Sequence, residues 1–403
     1  MMSRLSDFSL QSTFMGILVA FVGFASSFAV VIKGLTTVGA SPEQAATALM
    51  VLSIAMGLSA ILLSLYTRIP VSVAWSTPGA ALLASSGAIE GGFPVAAGAF
   101  IICGSLFVIA GLWRPLGKLV NLIPAPLANA MLAGILLGLC FAPVKAIAFN
   151  PLWGITIAMA WVIAGRINRL IAVPAALLAL ILIMIFAVDI PEENTARLFQ
   201  NIVPSFTLVT PSFTLAGFVG IALPLFIVTM ASQNVPGIAV LRIHEYEPKT
   251  GLLVSFTGIF SSISALFGGH AVNLAAITAA MCANEDAHPD PAKRYWSAII
   301  SGAGYVILGL FSGLVTGFAA IAPAILIESV AGLALIGAFS NSAVLAFNDA
   351  EHREAAAVTF LVTASGVSFY GVSGAFWGLL AGGLIFWITD SISKKRAKAK
   401  APA

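Results

Sequence analysis

Residues 69–82 read IPVSVAWSTPGAAL, and residues 268–282 read GGHAVNLAAITAAMC. Each stretch begins with a few residues of strand-like composition and continues into small residues that are too few to cross a bilayer as a helix. In the first stretch Ser76 or Thr77 is a good N-cap, and Pro78 suits the first helical turn, where an N–H would have no partner in any case. We therefore predict, in each stretch, a short strand followed by a half-helix that begins at membrane depth.

The rest of the chain is also strongly apolar. Of its 403 residues, 60% are hydrophobic and 9% are charged, and the mean hydropathy is +1.04. An ordinary soluble domain is about 25% charged, so this chain has too few charges to build a water-soluble surface. We predict an all-α polytopic protein of the bacterial inner (cytoplasmic) membrane, in contact with lipid, whose expected task is to carry a small molecule.

Twelve apolar segments reach, or nearly reach, the roughly 20 residues that a helix needs to span the hydrocarbon core. They cover residues 12–32, 46–66, 94–112, 124–142, 150–165, 170–188, 214–232, 250–267, 297–318, 322–340, 355–370 and 374–391. The two interrupted stretches, taken as 69–89 and 270–284, bring the prediction to about fourteen transmembrane segments. An even number places both termini on one side of the membrane.

The basic residues indicate which side is cytoplasmic. With fourteen segments and both termini inside, sixteen of the nineteen Lys and Arg residues fall on the cytoplasmic side, while Lys33, Lys145 and Arg197 fall outside. Lys and Arg are enriched in cytoplasmic loops. The sequence therefore predicts a multi-pass protein with both termini cytoplasmic and a basic cytoplasmic tail at 394–403.

The longest polar stretch outside the membrane, 189–213, leaves seven segments on each side of it. An odd number in each half gives the halves opposite orientations if they share a fold, which is the inverted-repeat plan of many secondary transporters. We predict a first inverted repeat at 1–190, an extracytoplasmic linker at 191–213 and a second inverted repeat at 214–393. The alternative is that the division at the middle arises by chance.

Two half-helix N-termini that face each other would concentrate partial positive charge, because the first N–H groups of a helix have no partners within it. Such a site suits an anion or a carbonyl-rich ligand. The sequence places no carboxylate near either half-helix, which is consistent with an anionic substrate. The alternatives are a proline-kinked full helix for the first stretch and a re-entrant loop without a ligand for the second.

The sequence offers no chemistry for an enzyme. Cys103, Cys140 and Cys282 lie far apart in apolar stretches and fit no metal-ligand spacing. Because the sequence contains no nucleotide-binding loop, metal cluster or nucleophile motif, we expect no cofactor, no nucleic-acid partner and no enzymatic activity. The polar loops are too short for an ATPase domain, which implies ion-gradient coupling or passive transport.

A few polar side chains are expected at membrane depth, where they are costly unless they are paired or functional. Gln233 and Asn234 either line a pathway or join helices, and Asn273 either contacts a ligand or braces the strand pair. His270 is a candidate proton carrier, with a structural role as the alternative. Glu328, near the start of an apolar span, is the reserve candidate, with an interfacial carboxylate as its alternative.

Three motifs carry a resemblance to a known family: GGHAVNLAAITAA (268–280), TASGVSF (363–369) and SQNVPG (232–237). The chain resembles the bacterial benzoate/proton symporters over essentially its whole length. This resemblance implies import of benzoate or a similar aromatic carboxylate together with a proton. The architecture also resembles that of uracil/proton symporters and of sulfate or bicarbonate transporters, which implies seven-plus-seven inverted repeats, core and gate domains, and a homodimer.

The same resemblance implies a substrate site. In the uracil carriers an aromatic residue of the first half-helix segment flanks the base, and Trp75 matches it. Two glutamates of those carriers fall on about Gln233 and Thr278, and the loss of both acids favours a carboxylate over a nucleobase. The implied site has the ligand ring against Trp75 and its carboxylate near the half-helix N-termini, and the residues assigned to it are Trp75, Ser76, Thr77, Gly79, Gln233, Asn234, Asn273, Ala276 and Thr278.

Two other functions stay open. An exchanger or channel for inorganic anions such as sulfate or bicarbonate would suit the half-helix N-termini, although a small hydrated anion does not need the aromatic Trp75. A membrane-embedded enzyme acting on lipid would need a cluster of acids, a metal site or a nucleophile, and the sequence provides none of these.

Overall fold

The structure is a computed structural model of the chain. It describes residues 7, 9–113, 115, 124–188, 202–367 and 374–400, and the side chains of the last helix up to residue 391. Much of the predicted linker at 191–213, the side chains of the basic tail at 394–403 and the end of the 363–369 motif lie outside the described residues.

The described elements follow each other in a similar order in the two halves of the chain. The first half contains α1 (Leu10–Ala25), α2 (Phe28–Thr37), α3 (Pro42–Thr67), β1 (Val73–Trp75), α4 (Thr77–Ser86), α5 (Gly92–Leu112), α6 (Ala125–Cys140), α7 (Ala142–Phe149), α8 (Pro151–Ile167) and α9 (Ala172–Ala187). The second half contains α10 (Leu215–Ile243), α11 (Thr250–Ala265), β2 (Val272–Leu274), α12 (Ala276–Ala283), α13 (Tyr295–Leu310), α14 (Ser312–Ile321), α15 (Ala324–Phe347), α16 (Arg353–Ala364) and α17 (Gly374–Lys400). Helix α10 includes two π-helical stretches, Phe218–Ala222 and Met230–Asn234.

These helices confirm a polytopic α-helical membrane protein. Within the described residues, seven helical segments are long and apolar enough to cross a membrane, and an eighth results if α13 and α14 count as one span. Those two helices meet at an angle of 52°, so the span predicted at 297–318 consists of two helices that join at Phe311. The half-helices α4 and α12 have only 10 and 8 residues, whereas α17 has 27 residues.

The two short strands pair with each other although they lie in different halves of the chain. They are antiparallel, with Val73 opposite Leu274, Ala74 opposite Asn273 and Trp75 opposite Val272. Each strand leads directly into a half-helix, as predicted. Because the strands are antiparallel, α4 and α12 begin at the two ends of the same three-residue ladder, and both N-termini therefore lie in one small region.

A serine of a neighbouring helix bonds both backbone groups of one residue just before β1 and of the first residue of β2. Ser64 of α3 accepts the Val71 N–H at 3.2 Å and donates to the Val71 carbonyl at 3.3 Å, and Ser261 of α11 does the same for Val272 at 2.8 and 3.0 Å. Extended backbone at membrane depth needs such partners, because an unsatisfied N–H or C=O group is costly there. The two serines thus help to stabilise the interruptions in the helices.

Glycines allow two long helix pairs to approach closely. Helix α3 packs along α13, and α5 packs along α11. A Cβ added at Gly302 would lie 2.6 Å from the Gly57 carbonyl oxygen, and one added at Gly258 would lie 2.7 Å from the Gly104 carbonyl oxygen. Neither position has room for a larger residue unless the helices separate.

The helices form two bundles. The first bundle consists of α1–α5 and α10–α14 with both strands, and the second bundle consists of α6–α9 and α15–α17. The extensive helix contacts lie within a bundle, for example α3 with α13 in the first and α6 with α15 in the second. The bundles meet where α6 contacts α4 and α10, and where α2 contacts α15. The strand pair and both half-helices therefore belong to the first bundle.

Candidate functional site

The N-terminus of α4 is built around Ser76. Its hydroxyl oxygen accepts the Gly79 N–H at 3.0 Å and lies 2.7 Å from the hydroxyl oxygen of Thr229 on α10. Its carbonyl accepts the Ala80 N–H at 2.8 Å, the first bond of the helix. A Cβ added at Gly79 would overlap the end of the Leu225 side chain and the Ser76 hydroxyl, so a larger residue would have to displace them where α4 meets α10. Ser76 thus caps the half-helix and joins it to α10.

The hydroxyl pair of Ser76 and Thr229 contains one O–H donor without an acceptor. Both side chains are fully buried, and each hydroxyl carries one proton. One of these protons lies between the two oxygens, and neither hydroxyl donates a further hydrogen bond to another acceptor among the described residues. A free hydroxyl donor therefore lies at the N-terminus of α4.

Sequence reasoning missed Thr229. A threonine inside an apolar helix commonly bonds the carbonyl four residues before it, so nothing marks this residue as functional except its position one turn before Gln233. The pairing with Ser76 becomes visible only once α10 is placed against α4.

His270 contacts the same N-terminus. Its Nε2 lies 3.0 Å from the Ser76 carbonyl oxygen, and since a carbonyl can only accept, Nε2 carries a proton. Its Nδ1 is buried and has no hydrogen-bond partner in the described part of the chain. The Phe100 ring lies edge-on, with 6.4 Å between the ring centroids. His270 thus has one nitrogen bonded to the backbone of the α4 cap and one that is free.

The two asparagines contact the backbone of β2. Asn234 Oδ1 accepts the Leu274 N–H at 2.9 Å, and its Nδ2 lies 3.3 Å from Met230 Sδ. Asn273 Nδ2 donates to the Leu274 carbonyl at 2.7 Å, whereas its Oδ1 is buried and unpartnered within the described residues. Asn234 therefore serves the fold, and Asn273 keeps one free acceptor.

The N-terminus of α12 lacks a side-chain cap, because Ala275 stands at the cap position. Thr278 in the first turn accepts a hydrogen bond from Ser72 at 2.7 Å, and Ser72 also accepts the Ala275 N–H through its carbonyl at 3.1 Å. These bonds join α12 to the strand pair.

Trp75 packs into the protein interior. Its side chain is 2% exposed, its Nε1 donates to the Ser27 hydroxyl at 2.8 Å, and its ring lies 5.3 Å from the Phe24 ring. Ser27 lies between α1 and α2. The indole therefore fixes β1 against the break between these helices, and a ligand ring could reach it only if that segment moved.

The structure brings most of the predicted residues together around the strand pair and separates one of them. The residues joined there by the hydrogen bonds above are Ser76, Asn234, His270, Asn273 and Thr278. Thr77, Gln233 and Ala276 adjoin them in the chain and are half-buried. Glu328 instead lies on α15 in the second bundle, where it pairs with Lys33 of α2 at 2.9 Å.

Two solved structures share this fold. The transmembrane domain of the cyanobacterium bicarbonate transporter BicA aligns with a TM-score of 0.56 at 17% identity, covering 94% of this chain and 95% of that one. The murine Slc26a9 anion transporter, in its inward-facing state, aligns with a TM-score of 0.63 at 12% identity, covering 98% of this chain and 70% of that one. At such low identity the likeness shows the fold alone.

Sequence comparison identifies the family. The chain is 37% identical over 381 residues to the inner membrane protein YdcO of Escherichia coli, covering 94% of this chain and 96% of the relative. It is 30% identical over 388 residues to the benzoate membrane transport protein of Acinetobacter baylyi, covering 95% and 96%. The sequence model of the family described as "Benzoate membrane transport protein" matches residues 6–388. This multi-pass inner-membrane protein therefore belongs to the benzoate membrane transport protein family, whose members are transporters and not enzymes.

Proposed function

We propose that this chain is a secondary active transporter that imports benzoate or a similar aromatic carboxylate together with a proton. The observation that carries the proposal is the buried Ser76–Thr229 hydroxyl pair at the N-terminus of α4, where a donor without an acceptor meets the partial positive charge of a half-helix. A carboxylate supplies the acceptors that this site lacks. The relative from Acinetobacter baylyi supports benzoate as the specific substrate.

In this proposal the ligand carboxylate lies between the starts of α4 and α12. The proposed contacts there are Ser76, Thr77, Gly79, Ala276 and Thr278, and we add Thr229 because its hydroxyl pairs with that of Ser76. Gln233 and the free Oδ1 of Asn273 complete the polar wall. Asn234 acts indirectly, by holding β2. Trp75 contacts the ring once the segment at Ser27 shifts, or else supports the site through β1.

Thr229→Val tests this assignment, because valine keeps the branched shape and removes the hydroxyl. A hydrogen bond to a charged group is worth about 1.5–3 kcal/mol, so benzoate affinity should fall roughly 10- to 100-fold. Thr257→Val is the matched control: Thr257 is also fully buried, but its hydroxyl donates to the Val254 carbonyl within α11. Equal benzoate affinity in the two variants, measured by calorimetry on folded protein, would remove Thr229 from the site.

Two routes for the proton follow from this site. Nδ1 of His270 is free to take a proton close to the α4 cap, or the proton travels shared with the carboxylate, since benzoate and a proton together are electroneutral. If His270 carries the proton, His270→Gln should abolish accumulation driven by a pH gradient but retain exchange of labelled for unlabelled benzoate. If the proton travels with the ligand, the variant should still accumulate benzoate. Glu328 is the reserve carrier, although its carboxylate pairs with Lys33 at 2.9 Å.

The alternative function is an exchanger or channel for inorganic anions such as bicarbonate or sulfate. One observation favours it: the indole of Trp75 already packs against Phe24 and Ser27. The indole therefore needs no aromatic ligand as a packing partner. The two structural neighbours are named as bicarbonate and anion transporters. Uptake of labelled benzoate into proteoliposomes under an acid-outside gradient, with sulfate and bicarbonate as competitors, separates the two functions. Strong competition by either inorganic anion and no benzoate uptake would favour the alternative.

We further propose that 1–190 and 214–393 form inverted repeats of seven segments each, joined by an extracytoplasmic linker at 191–213. The matching serine contacts of Ser64 and Ser261 and the matching glycine contacts of α3 with α13 and α5 with α11 support this arrangement. Both termini are then cytoplasmic. Labelling of a cysteine placed at position 195 by an impermeant reagent from the periplasmic side tests the topology, and chemical cross-linking in membranes tests the proposed homodimer.

A further inference from the structure

An ion pair joins the two bundles at one end of the molecule. Lys33 Nζ of α2 lies 2.9 Å from Glu328 Oε1 of α15. The pairs Asp7–Arg68 and Asp349–His352, in contrast, each lie within a single bundle. Lys33–Glu328 is therefore placed to respond to movement of one bundle relative to the other.

The position of the pair connects it to the candidate site. Lys33 lies four residues before the end of α2, and Glu328 lies four residues after the start of α15, so each is about 6 Å inside a helix end. The neighbouring Gly34 packs directly on α4, because a Cβ added there would lie 2.5 Å from the Ala80 carbonyl oxygen. Helix α2 thus contacts the half-helix on one side and forms an ion pair with the second bundle on another.

The exposure of the two side chains suits a contact that opens and closes. Lys33 is 42% exposed and Glu328 is 25% exposed. A partly exposed ion pair contributes little to stability, and both charges can be hydrated when it separates. A fully buried pair would instead leave two desolvated charges on opening, at a much greater cost.

We propose that Lys33 and Glu328 form a latch that holds the bundles together at this end and that breaks and re-forms in each transport cycle. The proposal rests on the proposed transport function, because a carrier must expose its site alternately to the two sides of the membrane. On the predicted topology this end is extracytoplasmic, so the latch closes the outer side. It also gives Glu328 a role that involves no proton transfer.

Cross-linking tests whether this contact opens. In a background where Cys103, Cys140 and Cys282 are replaced by Ser, Lys33→Cys and Glu328→Cys are combined and joined by a reducible bifunctional thiol reagent. Benzoate exchange in proteoliposomes should fall more than tenfold on cross-linking and recover on reduction. The control pair, Asp7→Cys with Arg68→Cys, lies within the first bundle, so its cross-link should leave exchange nearly unchanged.

Charge variants test the attraction itself. Lys33→Gln should raise the fraction of protein open at this end, which lowers the apparent Kd for benzoate offered from that side about two- to fivefold. The double variant Lys33→Glu with Glu328→Lys should restore the wild-type value. Because Lys33 and Glu328 lie outside the proposed ligand and proton contacts and pair with each other, gradient-driven accumulation should remain.

The outcomes separate the latch from the proposed function. If the unmodified protein exchanges no benzoate, the proposed function fails, and the cross-linking test is run with the anion that the uptake competition identifies. If the unmodified protein exchanges its substrate and the cross-linked Lys33–Glu328 pair exchanges it equally fast, the latch is overturned. Failure of the charge-swapped variant to restore affinity, after a clear effect of Lys33→Gln, would equally overturn an ion-pair latch.

Discussion

Replacing Trp75 by Ala should destabilise the protein by about 3–5 kcal/mol, the usual cost of removing a buried aromatic side chain. The indole is 2% exposed and packs against the Phe24 ring at the break between α1 and α2. Alanine would leave a cavity between that break and β1. The strand and the half-helix α4 that follows it would lose one of the contacts that position them.

The indole hydrogen bond contributes a smaller part of this energy. Trp75→Phe removes the bond from Nε1 to Ser27 but keeps most of the ring volume. The Ser27 hydroxyl still donates to the Gly23 carbonyl, so no buried donor is left without a partner. We therefore expect a loss of about 1 kcal/mol for this variant.

Unfolding in mixed detergent micelles, followed by tryptophan fluorescence or circular dichroism, measures these differences. Trp387→Ala is the matched control, since Trp387 is 66% exposed and its loss should change the unfolding free energy by less than about 0.5 kcal/mol. An unfolding free energy for Trp75→Ala within about 1 kcal/mol of wild type would refute the packing argument. If Trp75→Phe were stable yet lost benzoate affinity tenfold, the indole would have to contact the ligand directly.

Three further variants test the contacts that hold the site. Gly302→Ala should cost about 1–3 kcal/mol of stability, because the added methyl meets a backbone carbonyl of the facing helix. Gly383→Ala is the control and should be neutral in the same melting experiment, because no atom lies within 4 Å of the added carbon. Arg294→Ala should lower the unfolding free energy by about 1.5–3 kcal/mol, because its buried guanidinium donates to the Ala283 carbonyl at 2.7 Å at the end of α12; a Tm equal to wild type would contradict this. Asn234→Leu should lower the unfolding free energy by about 1–3 kcal/mol, because it leaves the Leu274 N–H of β2 unpaired, and it should slow transport. Normal transport by the destabilised variant would show that transport does not require the hydrogen bond from β2 to Asn234.

The interrupted segments could be predicted from sequence because their signals are local. A cap at Ser76, a proline two residues later and a run of small residues specify a helix start, and the membrane setting makes an isolated short helix informative. The strand pairing was less accessible, since the register of Trp75 opposite Val272 depends on the placement of two distant segments. The bend at Phe311 has no proline to signal it, and the sequence suggested one span there.

The side chains of the site were harder to predict because their partners are distant in sequence. The resemblance to the uracil carriers implies that Trp75 lies beside the ligand, but the direction of its indole depends on Phe24 and Ser27 of another segment. As an acid near the start of a span, Glu328 is a candidate proton carrier on sequence alone. Its contact with Lys33 follows only from the packing of α15 against α2.

The chemistry of a broken helix explains why a polar side chain near the strands need not bind a ligand. Where a helix stops inside the membrane, its backbone groups need new partners, and Ser64, Ser261 and Asn234 supply them to the strands. A polar side chain used in this way has little capacity left for a ligand, however central its position. The groups that can still bind a ligand are donors or acceptors without a partner in the protein. At the start of α4 these are the hydroxyls of Ser76 and Thr229, which together have one more donor proton than the acceptors they contact can bind. A surplus of donors selects an acceptor-rich ligand, so the site should prefer the charged carboxylate over the corresponding amide, and equal affinity for benzoate and benzamide would contradict that inference.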